Sequence, residues 1–147
     1  MNMKRLLIAF ALLFGISASM KAEYDTPVTF QQLPAKAQSF IRQYFPERKI
    51  ALSKKERELS GTTYDVIFSN GDKIEFFGNG DWKEIQCKTT LVPEALIPAP
   101  ILDYVKTNYP EAGITEIECR KRGYEISLTN RLEIEFNKQF VVIDIDD

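Results

Sequence analysis

Two stretches of the chain carry apolar residues at helical spacing. Ala37, Phe40, Ile41, Tyr44 and Phe45 stand at i, i+3, i+4, i+7 and i+8, which makes one stripe along a helix. Ile101, Tyr104, Val105 and Tyr109 make a second stripe. Pro34 and Pro98 suit the first turn of each helix, and Pro46 and Pro110 end them, because a residue before proline avoids helical backbone. Thr29-Phe30-Gln31-Gln32 fits a capping box for a short leading turn. Beyond each helix the period changes to two. Tyr64, Val66 and Phe68 alternate with Asp65, Ile67 and Ser69, Asn70-Gly71-Asp72 signals a hairpin turn, and Lys73 to Phe77 resumes the alternation. Asn79-Gly80-Asp81 marks the next turn, before Trp82-Lys83-Glu84-Ile85. A preceding strand near Ile50 to Arg57 carries the weakest signal of the four.

The pattern occurs twice. Leu33-Pro34-Ala35 returns as Ile97-Pro98-Ala99, and Phe45-Pro46-Glu47 as Tyr109-Pro110-Glu111, both at a shift of 64. At a shift of 60, Tyr64-Asp65-Val66 matches Tyr124-Glu125-Ile126 and Ile74-Glu75-Phe76 matches Ile134-Glu135-Phe136. Trp82 and Ile85 match Phe140 and Ile143 at 58. The shift changes only where turns are expected. The reading is α+β: a tandem repeat of two helix-plus-four-stranded antiparallel units, over residues 26–88 and 89–147, with a helix on one sheet face of each.

Residues 1–22 read as a signal peptide. Lys4 and Arg5 precede an uncharged apolar run from Leu6 to Ile16, and small residues follow, with cuts after Ser19 or Ala22 both allowed. The run is too short for a bilayer span, which needs about 20 residues. The expected location is the periplasm or the exterior. Cleavage after Ala22 removes three of the 19 basic residues and no acid, leaving 16 against 21, a net charge of −5. An acidic chain without a basic cluster is a poor partner for nucleic acid or for a membrane after cleavage. Oligomeric state is not legible.

Chemistry is bounded by the absence of histidine, since the count in 147 residues is zero. Ser-His and Cys-His nucleophilic sites and His-ligated metals are excluded with it. No catalytic residue, metal or cofactor is assigned, and the chain is read as a non-enzyme. Asn79-Gly80-Asp81 and Asp144-Ile145-Asp146-Asp147 lack calcium-loop spacing and read as turn chemistry and a charged end. Glu75 and Glu135 hold matching places and read as solvated strand positions. Cys87 and Cys119 share faces with Ile85 and Ile117, and in an oxidising compartment a bond between them is one reading. Two separate buried thiols are the other.

With its signal peptide, two Leu/Ile-Pro-Ala helix starts, aromatic–Pro helix ends and strands around Tyr64–Phe76 and Tyr124–Phe136, the chain resembles the PepSY-like family of secreted, beta-lactamase-inhibitor-like proteins of Gram-negative bacteria. The resemblance covers about Thr26 to Asp147. It implies that the two units join into one curved sheet, and that the face bare of helices grips a partner protein. Strict alternation places Ile67, Phe77, Trp82, Phe140 and Val142 on that face, where a one-sided sheet should be mainly polar. The acids Asp65, Glu75, Glu84, Glu133 and Glu135 border them. The leading expectation is an exported protein-binding module, an inhibitor of an envelope enzyme among the options, whose partner is another envelope protein with a basic patch. The alternative is a periplasmic carrier of a small ligand or peptide, with a pocket between the two units.

Overall fold

Proline sets both ends of each helix. In a computed structural model describing residues 25–147, helix α1 (Ala35–Tyr44) starts after Pro34 and helix α2 (Ala99–Asn108) after Pro98. Each ends two residues before a proline, with the Phe45 N–H donating to the Ile41 carbonyl at 2.9 Å and the Tyr109 N–H to that of Val105 at 2.7 Å. A 3₁₀ turn precedes each helix, Phe30–Gln32 and Glu94–Leu96. The Thr29 N–H donates to Gln32 Oε1 at 2.8 Å, as the capping pattern predicts. The leader expected over residues 1–22 lies outside the described residues.

The strands are β1 (Asp25–Pro27), β2 (Ile50–Glu58), β3 (Gly61–Phe68), β4 (Lys73–Phe77), β5 (Trp82–Gln86), β6 (Ile114–Arg120), β7 (Gly123–Leu128), β8 (Glu133–Asn137) and β9 (Val142–Asp146). All nine form one antiparallel sheet in chain order. The α+β reading and the single joined sheet are therefore observed. The joint is β5 against β6, where Glu84, Ile85 and Gln86 stand opposite Glu118, Ile117 and Glu116. Strand β1 was not expected: Asp-Thr-Pro has no alternation to read, and proline is tolerated there because β1 is an edge.

One face of the sheet builds the core. Val66, Ile74, Ile85, Ile117, Ile126 and Ile134 stand directly opposite one another across β3 to β8, and none is more than 1% exposed. Burial of each such side chain contributes about 1.5–3 kcal/mol. Ala37 and Ile41 of α1 and Ile101 and Val105 of α2 close this layer. Aromatic pairs pin the helices down: Phe40 meets Phe76 edge-on at 5.6 Å, and Tyr104 meets Phe136 in the same way at 5.4 Å. Both helices thus lie on one face. No helix among the described residues covers the other.

Two β-bulges overturn part of the face assignment. Register is regular from Ile74/Ile85 to Glu75/Glu84, but Phe76 then pairs with Trp82, so Lys83 is an extra residue. Likewise Phe136 pairs with Val142, leaving Ile143 extra. An inserted residue reverses the side-chain alternation beyond it. Trp82 and Val142 consequently share the helix-covered face with Phe76 and Phe136 and pack against the core. Phe140 lies in the β8–β9 turn with φ 62° and stacks on Tyr124 at 5.8 Å, also on the helix side. By register Trp82 corresponds to Val142, Ile85 to Ile145 and Gly80 (φ 91°) to Phe140, which corrects the matches of Trp82 with Phe140 and Ile85 with Ile143.

The cysteines are free thiols. The Cys87 N–H donates to the Thr115 carbonyl at 2.8 Å, which sets Cys87 beside Thr115, four residues along β6 from Cys119. At roughly 3.3 Å per residue that offset is about 13 Å, and a disulfide needs Cα atoms within about 7 Å. Burial pushes the Cys87 thiol up and the Cys119 thiol up to about 11, so neither is a ready thiolate at neutral pH.

Candidate functional site

Every core residue of the apolar row has a neighbour in sequence that points the other way. On the uncovered face those neighbours are Asp65, Glu75, Glu84, Glu118, Glu125 and Glu135, one from each strand from β3 to β8, and Asp144 of β9 continues them. They form an unbroken line of carboxylates, each directly opposite the next, with strands about 4.8 Å apart. Like charges set opposite one another destabilise a sheet. Glu116, Glu133 and Asp146 lie one pleat further along on the same face.

Cations compensate one end of the line better than the other. Asp65, 3% exposed, receives Lys73 at 3.3 Å and Lys54 at 3.8 Å. Burial nevertheless raises its carboxyl above the ordinary range, and Oδ1 has no hydrogen-bond partner. Glu75 pairs with Lys83 at 3.2 Å, and burial raises it too. Arg120 reaches Glu118 at 3.3 Å and Glu125 at 2.9 Å. Among the described residues Glu135 and Asp144 have no ion-pair partner. At the sheet joint, Gln86 Nε2 donates to Glu84 and, at 3.3 Å, to Glu116 Oε1. Burial and the adjoining Glu84 carboxyl push Glu116 up to about 7.

Of the residues expected on this face, the structure brings together Glu75, Glu84, Glu133 and Glu135, with Ile67 half-buried between Leu52 and Lys73, and Phe77 38% exposed opposite Thr63. Trp82, Phe140 and Val142 are not among them. Glu116, Glu118, Glu125, Asp144 and Asp146 were missed. Their signal is an acid placed beside isoleucine in strand after strand, as in Glu116-Ile117-Glu118 and Asp144-Ile145-Asp146, and it becomes a line only once register is known.

Trp82 instead walls a groove of about 420 Å³ on the helix side. Phe40 and Tyr44 of α1, Gly80 and Asp81 of the turn, and Leu96 of the second 3₁₀ turn complete it, with Lys36 paired to Asp81 at the rim.

The family model described as "Putative beta-lactamase-inhibitor-like, PepSY-like" matches residues 62–144. A solved structure described as a "putative periplasmic protein" of the DUF2874 family from Bacteroides vulgatus ATCC 8482 is 49% identical, with a TM-score of 0.82 over 84% of this chain and 97% of that one. A "putative calcium-regulated periplasmic protein" from Bacteroides thetaiotaomicron is 48% identical, with a TM-score of 0.80 over 84% and 97%. A third, from B. vulgatus and described as of unknown function, is 35% identical, with a TM-score of 0.79 over 84% and 99%. No curated protein matches. These relatives place the chain in the periplasm, and no helix among the described residues is long and apolar enough to cross a membrane.

Proposed function

We propose that this chain, which belongs to the PepSY-like family, is a periplasmic protein-binding module that engages a basic surface of an envelope protein through its uncovered sheet face and performs no chemistry of its own. The observation that carries the reading is the line of seven carboxylates. A folded protein keeps such a costly array where a partner neutralises it, and charge complementarity then supplies association rate and specificity. The beta-lactamase-inhibitor-like description of the family supports an envelope enzyme as the partner. The calcium-regulated relative raises the question of a metal. No three carboxylates or thiols among the described residues converge as ligands would, so a line fits an extended basic surface better than a single ion.

We also read residues 26–88 and 89–147 as two copies of one unit, because turns, bulges and aromatic pairs recur at matching places. Superposing the halves of an experimentally determined structure tests that reading.

The binding proposal is tested by charge reversal at the centre of the line. Wild-type chain should retain its partner from a periplasmic extract at low salt and release it as salt rises, whereas Glu84→Lys with Glu118→Lys should retain at least about tenfold less. Equal retention by both chains would remove this face from the function.

A second reading rests on the groove beside Trp82, whose volume suits a small ligand or a peptide side chain. Trp82 is the single tryptophan of the chain, so its emission reports on the groove alone. A partner or extract fraction that shifts this emission, with the charge-reversed chain responding equally, would support the carrier reading over the face.

A further inference from the structure

Both edges of the sheet are strands, and they differ. Strand β1 is three residues long and contains Pro27, which blunts it. Strand β9 is five residues long without proline, and no described strand lies against its outer side. The apolar row reaches this edge uncovered. Ile85 and Ile145 hold corresponding places, opposite Ile74 and Ile134, yet Ile85 is 0% exposed under β6 and Ile145 is 46% exposed. Earlier in the chain, the bulge residue Ile143 and Val141 of the turn are 50% and 56% exposed. The acid line ends here as well, at Asp144, with Asp146 next to it. At its other end the line is closed by a cation, since Lys54 of β2 stands opposite Asp65. Among the described residues no cation closes it at β9.

We propose that β9 accepts one more strand, supplied by the partner protein, in which an apolar residue alternates with Lys or Arg. The apolar residue covers Ile145 and extends the core row. The basic residues fall opposite Asp144 and Asp146 and close the acid line as Lys54 closes it at β2. Main-chain hydrogen bonds to the free edge supply affinity, and the alternation supplies specificity. A second copy of this chain is the poorer occupant, because antiparallel pairing of two β9 strands sets Asp144 and Asp146 of each near those of the other. The acids on this edge therefore select against self-pairing and for a basic strand. The inference rests on the basic-partner reading above and names where and how that partner docks.

The probe is a peptide of about ten residues alternating valine with lysine, compared with a peptide of the same composition whose lysines are grouped. Both are titrated into the full chain, followed by backbone amide shifts and hydrogen exchange. The alternating peptide should bind at least about tenfold tighter, with shifts and new amide protection centred on Val142–Asp146, and weaken with salt. Asp144→Lys with Asp146→Lys, at exposed positions and checked for an unchanged fold by circular dichroism, should lower that affinity about tenfold or more and admit a valine–glutamate peptide instead. Shifts centred on β5 and β6 would overturn edge docking while leaving the face reading intact. Equal affinity for the two peptides, no binding of either, or a salt-resistant dimer of the chain through β9 would each overturn the inference.

Discussion

The β4–β5 turn and the β8–β9 turn occupy the same place relative to their strands and obey different constraints. At Gly80 a Cβ would stand 2.8 Å from Lys36 Cβ and 3.1 Å from Pro34 Cβ, because the start of α1 leans on the turn. At Phe140 the same left-handed backbone carries an aromatic ring stacked on Tyr124. The β3–β4 and β7–β8 turns contrast in the same way. Asp72, 1% exposed, pairs with Arg48, accepts the Lys88 N–H at 2.7 Å and Asn70 Nδ2 at 3.0 Å, and so ties its turn to the segment leading towards α2. Leu132 and Ala112 stand in the places of Asp72 and Arg48, and a depression of about 560 Å³ opens beside Ala112. Strands β2 to β5 and helix α1 therefore carry polar ties to the elements around them. Strand β9 carries exposed apolar residues at an edge where another chain could continue the sheet.

Substitutions can break this comparison. Where the halves are alike the effects should be alike: Phe76→Ala and Phe136→Ala, each fully buried under an aromatic of its helix, should each lose about 3–5 kcal/mol in denaturant unfolding. Asp72→Ala should lose about 2–3 kcal/mol, because it strands the Arg48 guanidinium and the Lys88 N–H, while Leu132→Ala loses about 1 kcal/mol. Equal losses at 72 and 132 would remove the asymmetry. Gly80→Ala should cost about 1–2 kcal/mol, whereas Phe140→Gly, trading relief of backbone strain against the lost stack, should change stability by less than about 1 kcal/mol.

One further effect depends on pH. Glu116 has a folded pKa of about 7, above its ordinary value of 4.5, so between those values the native chain binds more protons than the unfolded one. Its contribution is intact below about pH 4.5 and is lost as pH rises through 7. Glu116→Gln should therefore match wild type near pH 4.5 and exceed it above pH 7, by about 1–2 kcal/mol once solvent screening of this half-buried group is allowed for. Thermal melts across pH 4.5–8 read this directly. A gap that is constant with pH would contradict the raised Glu116 carboxyl.

Helices, proline boundaries and turns were legible because each is a local signal: a stripe at i, i+3, i+4, a ring without an N–H, an Asn-Gly pair. The faces of Trp82 and Val142 were not, because a bulge is a property of two strands together and Lys83 carries no mark of being the extra residue. Phe140 misled for the complementary reason, since an aromatic is rare at φ 62° and the position reads as strand. The separation of Cys87 from Cys119 likewise needs the β5–β6 register. Half of the candidate face was visible as acids beside isoleucines, but their continuity across seven strands is a consequence of pairing, and so is the bare edge at β9.

The central claim is that a partner covers the carboxylate line, and carboxyl footprinting tests it most directly. Solvent carboxyls are coupled to an amine with a carbodiimide, in the free chain and in its complex with the captured partner, and labelling is read residue by residue by mass spectrometry. The account predicts that Glu84, Glu118, Glu125, Glu135 and Asp144 lose labelling together in the complex, while Glu94 and Glu111 on the helix side keep theirs. Protection of Glu94 or of the groove around Trp82, with the line labelled as in the free chain, would contradict it.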